Sequence, residues 1–428
     1  MKRATVWYLF LLALISGFTI AGDVNWVLWK GQICQDIQYQ KSIESVAILG
    51  DRIYVGCSYR QIVNSNGMIG IYYLGETAAY FTNGTLLWQN SSGYVVKIVP
   101  FENGNVLVGN LGGFLTFDKD GRIISRNLTK NKLYDFTIYR DIIYAVDGDL
   151  FMEKGTVTYV GHLYSGKVEN GKVALNGWIL NFTQMPSRVR IGNSTIYIGF
   201  GVPSGYSGSH QFGAVYGISP SGKIKWEVNI GHWIRDMEIY NGKAIAGTGY
   251  GDFFGNIYMI DSSGNILWNV SLFYVEDVET TENGIYVGGI NSRGGALASI
   301  DPASGKVLWQ QEFPYRVKVV KYSNGILLVG TGKFETKQEN STSVVYSYGA
   351  LYAVDPHTGR IIGELMDTGY IRSIAVYDNI AVIGTGSSSF YVIDISKIKA
   401  KTSLKITVIA VVAVIIILAV ILRGKSKP

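Results

Sequence analysis

Two short patterns of apolar and polar residues alternate along most of this chain. The first is a polar turn, a glycine, one variable residue, two apolar residues and a tryptophan. It reads "IDPASGKVLW" at 300–309, "IDSSGNILW" at 260–268, "ISPSGKIKW" at 218–226 and "FTNGTLLW" at 81–88. "FDKDGRIIS" (117–125) and "VDPHTGRIIG" (354–363) keep the turn without the tryptophan, and "ENGKVAL" (169–175) and "NWVLW" (25–29) are weaker copies. The second is a short apolar run ending in glycine: "ENGIYVGG" (282–289), "SNGILLVGTG" (323–332), "YDNIAVIGTG" (377–386), "LGDRIYVGC" (49–57), "ENGNVLVGN" (102–110), "YRDIIYAV" (139–146), "IGNSTIYIGF" (191–200) and "YNGKAIAGTG" (240–249). The apolar positions alternate with a period of two, and Asn-Gly, Ser-Gly and Asp-x-x-Gly turns separate them, which predicts short strands. No helical period intervenes.

A repeat of about 37 to 59 residues built from such strands predicts an all-β fold, a β-propeller with four strands per blade. Within a blade the order is an inner strand, the "NGIYVG" strand, a third strand, then the "GKVLW" strand. The last copy, "SSFYVIDI" (387–394), lacks a fourth strand, whereas "NWVLW" is a fourth strand with nothing before it. One completes the other, so the termini are expected to close the ring and remove an open sheet edge. The count is eight blades, or seven because the third and fourth units are degenerate.

The recurring tryptophan has two readings: a stacking platform for a cofactor, or a staple between blades. Asp301 can hold the turn by accepting backbone N–H groups, Gly305 can take positive φ, and Trp309 then lies on an outer strand. A large aromatic in blade after blade is a staple, since a cofactor needs one site.

The turn elements resemble the signature of the PQQ-like β-propeller repeat, shared by quinoprotein dehydrogenases and by a lipoprotein of the bacterial outer-membrane barrel assembly machinery. The resemblance spans about 23–396 and implies an eight-bladed propeller. It does not carry over an enzyme. The quinoproteins use adjacent cysteines, calcium-binding groups and a catalytic aspartate. Cys34 and Cys57 are not adjacent, and no residue matches the other positions. The chain looks like the non-catalytic members, with no cofactor; PQQ and calcium enter only under the alternative of a membrane-tethered oxidoreductase.

Composition changes the picture at the ends. Residues 1–22 have Lys2 and Arg3, an apolar run and small residues near Ala21, the layout of a secretory signal peptide. An uncleaved anchor is the other reading. Residues 406–422 are uninterrupted apolar sequence, about 25 Å as a helix and near the minimum for a bilayer core, between a basic linker (397–405) and the tail 423–428. The expectation is a single-pass membrane protein with its propeller (23–396) outside the cell. Nine of the 38 basic residues lie in these end segments, which hold no acid, so the middle carries 29 basic and 32 acidic groups and is no nucleic-acid binder by charge. Sequons at Asn83, Asn90, Asn127, Asn181, Asn193, Asn269 and Asn340 suggest an exported glycoprotein. Two cysteines outside the cell favour one disulfide, Cys34–Cys57, over two free thiols.

Function is expected where loops vary and where inner strands start. The loops 57–70, 199–213, 247–255 and 330–349 between second and third strands differ most. Inner strands begin with an aromatic and a charge, which would ring a central funnel with Tyr94, Trp233, Tyr274, Tyr315 and Tyr370. Lys97, Arg235, Asp236, Glu276, Asp277, Arg316, Lys318 and Arg372 lie nearby. Such a ring suits a sugar or peptide; blade packing with a self-neutralising charge ring is the plainer reading. Glu276 and Asp277 are neighbours on one strand, expected to point to opposite sides, which argues against a glycosidase pair. "GYSGS" (205–209) is no nucleophile elbow, and HExxH and P-loop motifs are absent. The sequence therefore points to a non-catalytic cell-surface module for a protein or glycan partner.

Overall fold

The computed structural model describes residues 26–35, 40–65, 68–153, 156–202, 213–339 and 342–398. The signal-peptide and membrane-helix expectations, Asn340, and most of the loop 199–213 fall outside these residues. Among the described residues no helix is long and apolar enough to cross a membrane. The chain divides into a large unit, Trp29–Val392, and a small one formed by Met1–Leu28 with Ile393–Pro428. In the small unit, the Asp394 N–H donates to the Trp26 carbonyl at 2.9 Å.

The large unit is a series of antiparallel sheets in chain order. Lys41–Leu49, Arg52–Ser65, Met68–Phe81 and Leu86–Ser91 form the first, and Val95–Pro100 to Ile123–Leu128 the second. The sheets Lys132–Phe182 and Pro186–Asn229 follow. Ile266–Thr281 then runs without a break from the outer edge of one four-stranded unit to the inner edge of the next. The last two sheets start at Val317–Ser323 and Ile371–Tyr377. Within each, strands pair in the sequential order expected from the repeat. The final sheet takes its outer strand from the chain's beginning, Val27–Gln32, beside Ser389–Asp394. The Ile33 N–H donates to the Ser388 carbonyl, and the Trp29 ring packs edge-on against Phe390.

Second and third strands are buried on both faces, as in "TIYIGF" (195–200) and "GFLTF" (113–117), because each sheet is sandwiched between neighbours. Outer strands alternate exposed and covered residues. The tryptophan staple accounts for this edge. The indole N–H of Trp29, Trp178, Trp226, Trp268 and Trp309 each donates to a carbonyl in the turn of the following sheet: Thr82, Pro220, Ser262, Pro302 and Pro356, at 2.7–3.0 Å. The turn glycine lies under that ring. A Cβ on Gly305, whose φ is +74°, would sit 2.9 Å from the Trp268 ring, so glycine is required there for conformation and for space. Asp118, Asp261, Asp301 and Asp355 hold their turns as expected, each through an Oδ1 that accepts backbone N–H groups.

Two expectations need correction. In the degenerate third unit the staple is Trp178 and not a residue of "ENGKVAL". Its outer edge is broken into Lys172–Ala174 and Ile179–Phe182, both paired with Thr156–Glu169, because Asn176-Gly177 interrupts it. The segments 57–70 and 330–349 contain long paired strands. Arg52–Ser65 pairs with Met68–Phe81 in full register, and Lys333–Glu339 with Thr342–Tyr348. A third long hairpin, Ile142–Glu153 with Thr156–Glu169, had no counterpart in the sequence reading.

Candidate functional site

Among the described residues, the inner strands share one irregularity. Their register with the second strand shifts between Ile43 and Ser45, Val95 and Lys97, Leu133 and Asp135, and Pro186 and Arg188. It shifts again between Ile234 and Asp236, Val275 and Asp277, Val317 and Val319, and Ile371 and Ser373. The bulged residues are Glu44, Val96, Tyr134, Ser187, Arg235, Glu276, Lys318 and Arg372. A bulge re-aims its side chain out of the ladder, and here it brings charges from successive strands together. Glu276 receives Arg235 Nη2 at 2.6 Å, Arg316 Nη1 at 2.6 Å and Lys318 Nζ at 2.8 Å. Glu44 receives Arg372 Nη2 at 2.8 Å and the Ser42 hydroxyl.

Burial alone would raise the Glu276 carboxyl, but Lys318, Arg235 and Arg316 outweigh it and hold the group far below the usual carboxylate range. Glu44 is likewise held low, against burial, chiefly by Arg372. The residue after the bulge ties adjacent inner strands through the backbone. Asp135, Asp236 and Asp277 accept the N–H of Val189, Val278 and Val320, and Ser45 Oγ accepts that of Ile98. Glu276 and Asp277 thus serve different partners, side chains for one and a backbone amide for the other. Burial and then the negative charge of Asp236 push the Asp277 carboxyl up to about 8. Asp236 itself is held low, against burial, by Arg188 and Arg190.

Three of the aromatic residues named from the sequence, Trp233, Tyr274 and Tyr370, lie beside these cations. The Arg235 guanidinium lies 4.0 Å from the Trp233 ring and 5.4 Å from Tyr274, and Arg316 is 5.8 Å from Tyr274. Arg372 lies 5.3 Å from Tyr370, which is buried and packs edge-on with Phe334. Tyr315 sits 5.7 Å from Lys333 Nζ on the inserted hairpin. Of the thirteen residues named for the funnel, Tyr94 and Arg372 line a cavity of about 500 Å³. Its other walls are Gln40, Lys41, Ser42, Glu44, Ser58, Tyr59, Arg60, Ile62 and Phe334. Glu44 was legible in principle, since "SIESV" occupies the register of "YVEDV". Phe334 belongs to an insertion outside the repeat and carries no such signal.

The Cys34–Cys57 disulfide is present, with Cα atoms 6.5 Å apart, beside this cavity's Ser58. Among the described residues no group of three or more His, Cys, Asp or Glu side chains is placed to hold a metal ion. The sequon asparagines differ. Asn83, Asn181, Asn193 and Asn269 are exposed. Asn90 Nδ2 donates to the Gly121 carbonyl at 2.9 Å and Asn127 Nδ2 to that of Val173, so at these two the nitrogen that would carry a glycan joins neighbouring sheets.

Exposed apolar residues stand along outer strands and, in groups, on hairpins. Hairpins between second and third strands carry exposed apolar residues: Ile62, Ile71 and Tyr72 on one, Phe151 and Met152 on another, Phe253 and Phe254 on a third. Met152 is 76% exposed and Ile62 62%. Tyr59, Arg60 and Ile62 from the first hairpin and Phe334 from the inserted one meet at the cavity, so these two stand on the same face.

Residues 253–397 match a family model described as outer membrane protein assembly factor BamB. Among solved structures, the chain is similar to BamB from Moraxella catarrhalis, at 12% identity and a TM-score of 0.54 over 86% of this chain and 99% of that one. Sqt1 from Saccharomyces cerevisiae matches at 9% identity and a TM-score of 0.60, over 86% and 99%. A structure titled the Dos1 propeller matches at 10% identity and a TM-score of 0.57, over 83% and 93%. No curated protein sequence matches the chain.

Proposed function

We propose that this PQQ-like β-propeller protein is a non-catalytic interaction module of eight blades, held at the cell surface, whose hairpin face binds a protein partner. One observation carries the reading: Ile62, Ile71, Tyr72, Phe151, Met152, Phe253 and Phe254 stand in groups on second-to-third-strand hairpins, whereas other exposed apolar residues such as Leu86, Leu128 and Leu308 are strung along outer strands. Scattered apolar side chains are normal on a surface, but groups of them at hairpin ends are characteristic of binding surfaces. The cations and carboxylates of the inner strands are spent on one another, which supports a rigid scaffold around the axis. The assembly-factor relative matched over 253–397 supports the interaction class and not a particular partner.

The anchor is segment 406–422, and the segment 1–22 directs the propeller outward. Among the described residues, Asn83, Asn181 and Asn269 are the exposed sequons at which a glycan would break no hydrogen bond between sheets, whereas the Asn193 side chain packs on Gly242 of the next sheet. Two experiments test this reading. Alkaline extraction of membranes and protease treatment of intact cells should leave the protein in the pellet and its propeller accessible. The variant Ile62→Glu/Tyr72→Glu/Phe151→Glu/Met152→Glu should fold and lose a defined cross-linked complex on intact cells. An unchanged complex would remove the hairpin face from the account.

A further inference from the structure

We propose that the cavity between the strand starting at Lys41, the first hairpin and Phe334 is a binding site for a carboxylated sugar of the hexuronate class. The site shares Ile62 with the hairpin face and is otherwise separate from the apolar hairpin ends that carry the interaction reading. Its volume, about 500 Å³, falls within the range of small-molecule sites and exceeds what a single side chain needs. Its lining holds three cations, Lys41, Arg60 and Arg372, against one carboxylate, Glu44. Arg372 is paired with Glu44 and Lys41 is engaged at the rim, so Arg60, exposed there, is the cation that can meet an anion.

The cations differ in freedom. Arg372 gives Nη2 to Glu44, while its buried Nε has no hydrogen-bond partner. Lys41 Nζ donates to the Cys34 and Gln35 carbonyls, which fixes its charge at the rim beside the disulfide. Arg60 is exposed, 5.4 Å from the Tyr73 ring, and can turn onto a ligand carboxylate in the paired geometry a guanidinium prefers. The rest of the wall explains why the anion should be a sugar. Tyr59, Tyr94 and Phe334 offer aromatic surface, Tyr94 is braced edge-on by Tyr73, and Phe334 by Tyr370. Ser42, Ser58 and Gln40 add short polar groups between them. A hexuronate presents a C–H face for the rings, hydroxyls for the polar groups and a carboxylate for Arg60.

The test uses purified full-length protein, titrated with sodium glucuronate, methyl glucoside, benzoate and inorganic phosphate by calorimetry or ligand-observed NMR at low and high salt. Glucuronate should bind saturably and at least about tenfold more tightly than the other three, and added salt should weaken it. Arg60→Ala, on the exposed rim, should weaken glucuronate about tenfold and leave the thermal unfolding curve unchanged. Glu44→Gln removes the competing carboxylate and should tighten glucuronate severalfold even if it lowers stability, an effect a purely structural Glu44 would not give. No saturation in the tens of millimolar, equal binding of methyl glucoside, or equal binding of benzoate or phosphate would each overturn the proposal. So would an affinity that neither variant moves. These results do not depend on the hairpin variants, so the two readings can fail separately.

Discussion

Replacing Glu276 by glutamine tests the charge network most severely. The side chain is 1% exposed and takes three cations, of which Arg235 and Lys318 are 15% and 22% exposed and Arg316 is 37% exposed. Glutamine preserves the shape and one acceptor but leaves Arg235 and Lys318 as partly buried cations without a counter-charge. Removing one partner of a buried pair costs about 3–5 kcal/mol. Arg316, more exposed, adds little, because solvent screens it. The expected loss is therefore at least about 3 kcal/mol, read as a fall in the urea midpoint at unchanged slope by tryptophan fluorescence. Glu312→Gln is the matched control. Its partner Arg293 is 74% exposed, and the cost should stay below about 1 kcal/mol. Because the Glu276 carboxyl is held low, its contribution is present above the ordinary carboxyl range near pH 4 and is lost as pH falls below it. Equal losses for the two variants, or an acid limb that Glu276→Gln leaves unchanged, would refute the buried network.

Asp277 should behave in the opposite sense. A carboxyl raised to about 8 contributes stability that is fully present below about pH 4 and disappears as pH rises through about 8. Wild type should therefore lose stability between about pH 4 and 8 and level off above it, and Asp277→Asn, which still accepts from Val320 N–H, should flatten that limb in pH-dependent denaturant titrations. Gly305→Ala combines an unfavourable φ with a clash on Trp268 and should cost about 1–3 kcal/mol in urea unfolding. Trp268→Phe, which keeps an aromatic ring but loses the donor to Pro302, should cost about 1 kcal/mol by the same assay. The double variant Cys34→Ser/Cys57→Ser opens a loop with a sequence separation of 23, and should lower stability by about 3 kcal/mol, matched by wild type under reductant.

The repeat was legible because its period, turns and staples are local. "IDSSGNILW" announces an Asx-type turn, a positive-φ glycine and an outer tryptophan, and each is present. Closure by "NWVLW" was also legible, from an excess strand at one end and a missing one at the other. The hairpins were not. Around the turn of the first hairpin, "QIVNSNGMIGIYY" (61–73) mixes apolar and polar residues without strict alternation, so the segment reads as a loop. The bulges escaped too, since a one-residue register shift leaves the composition of "YVEDV" unchanged while deciding that Glu276 meets three cations. Naming aromatics and charges at strand starts captured Tyr94 and Arg372. It missed Glu44, Arg60 and Phe334 because a cavity is assembled from separate sheets and an insertion.

The central claim is that the hairpin face is the working surface. A photo-cross-linking residue placed at position 72, at position 152 and, as a reference, at the exposed outer-strand position 308 would test it on intact cells. Defined adducts from 72 and 152, with none from 308, are the result the account predicts. Adducts from 308 alone, or equally from all three positions, would contradict it.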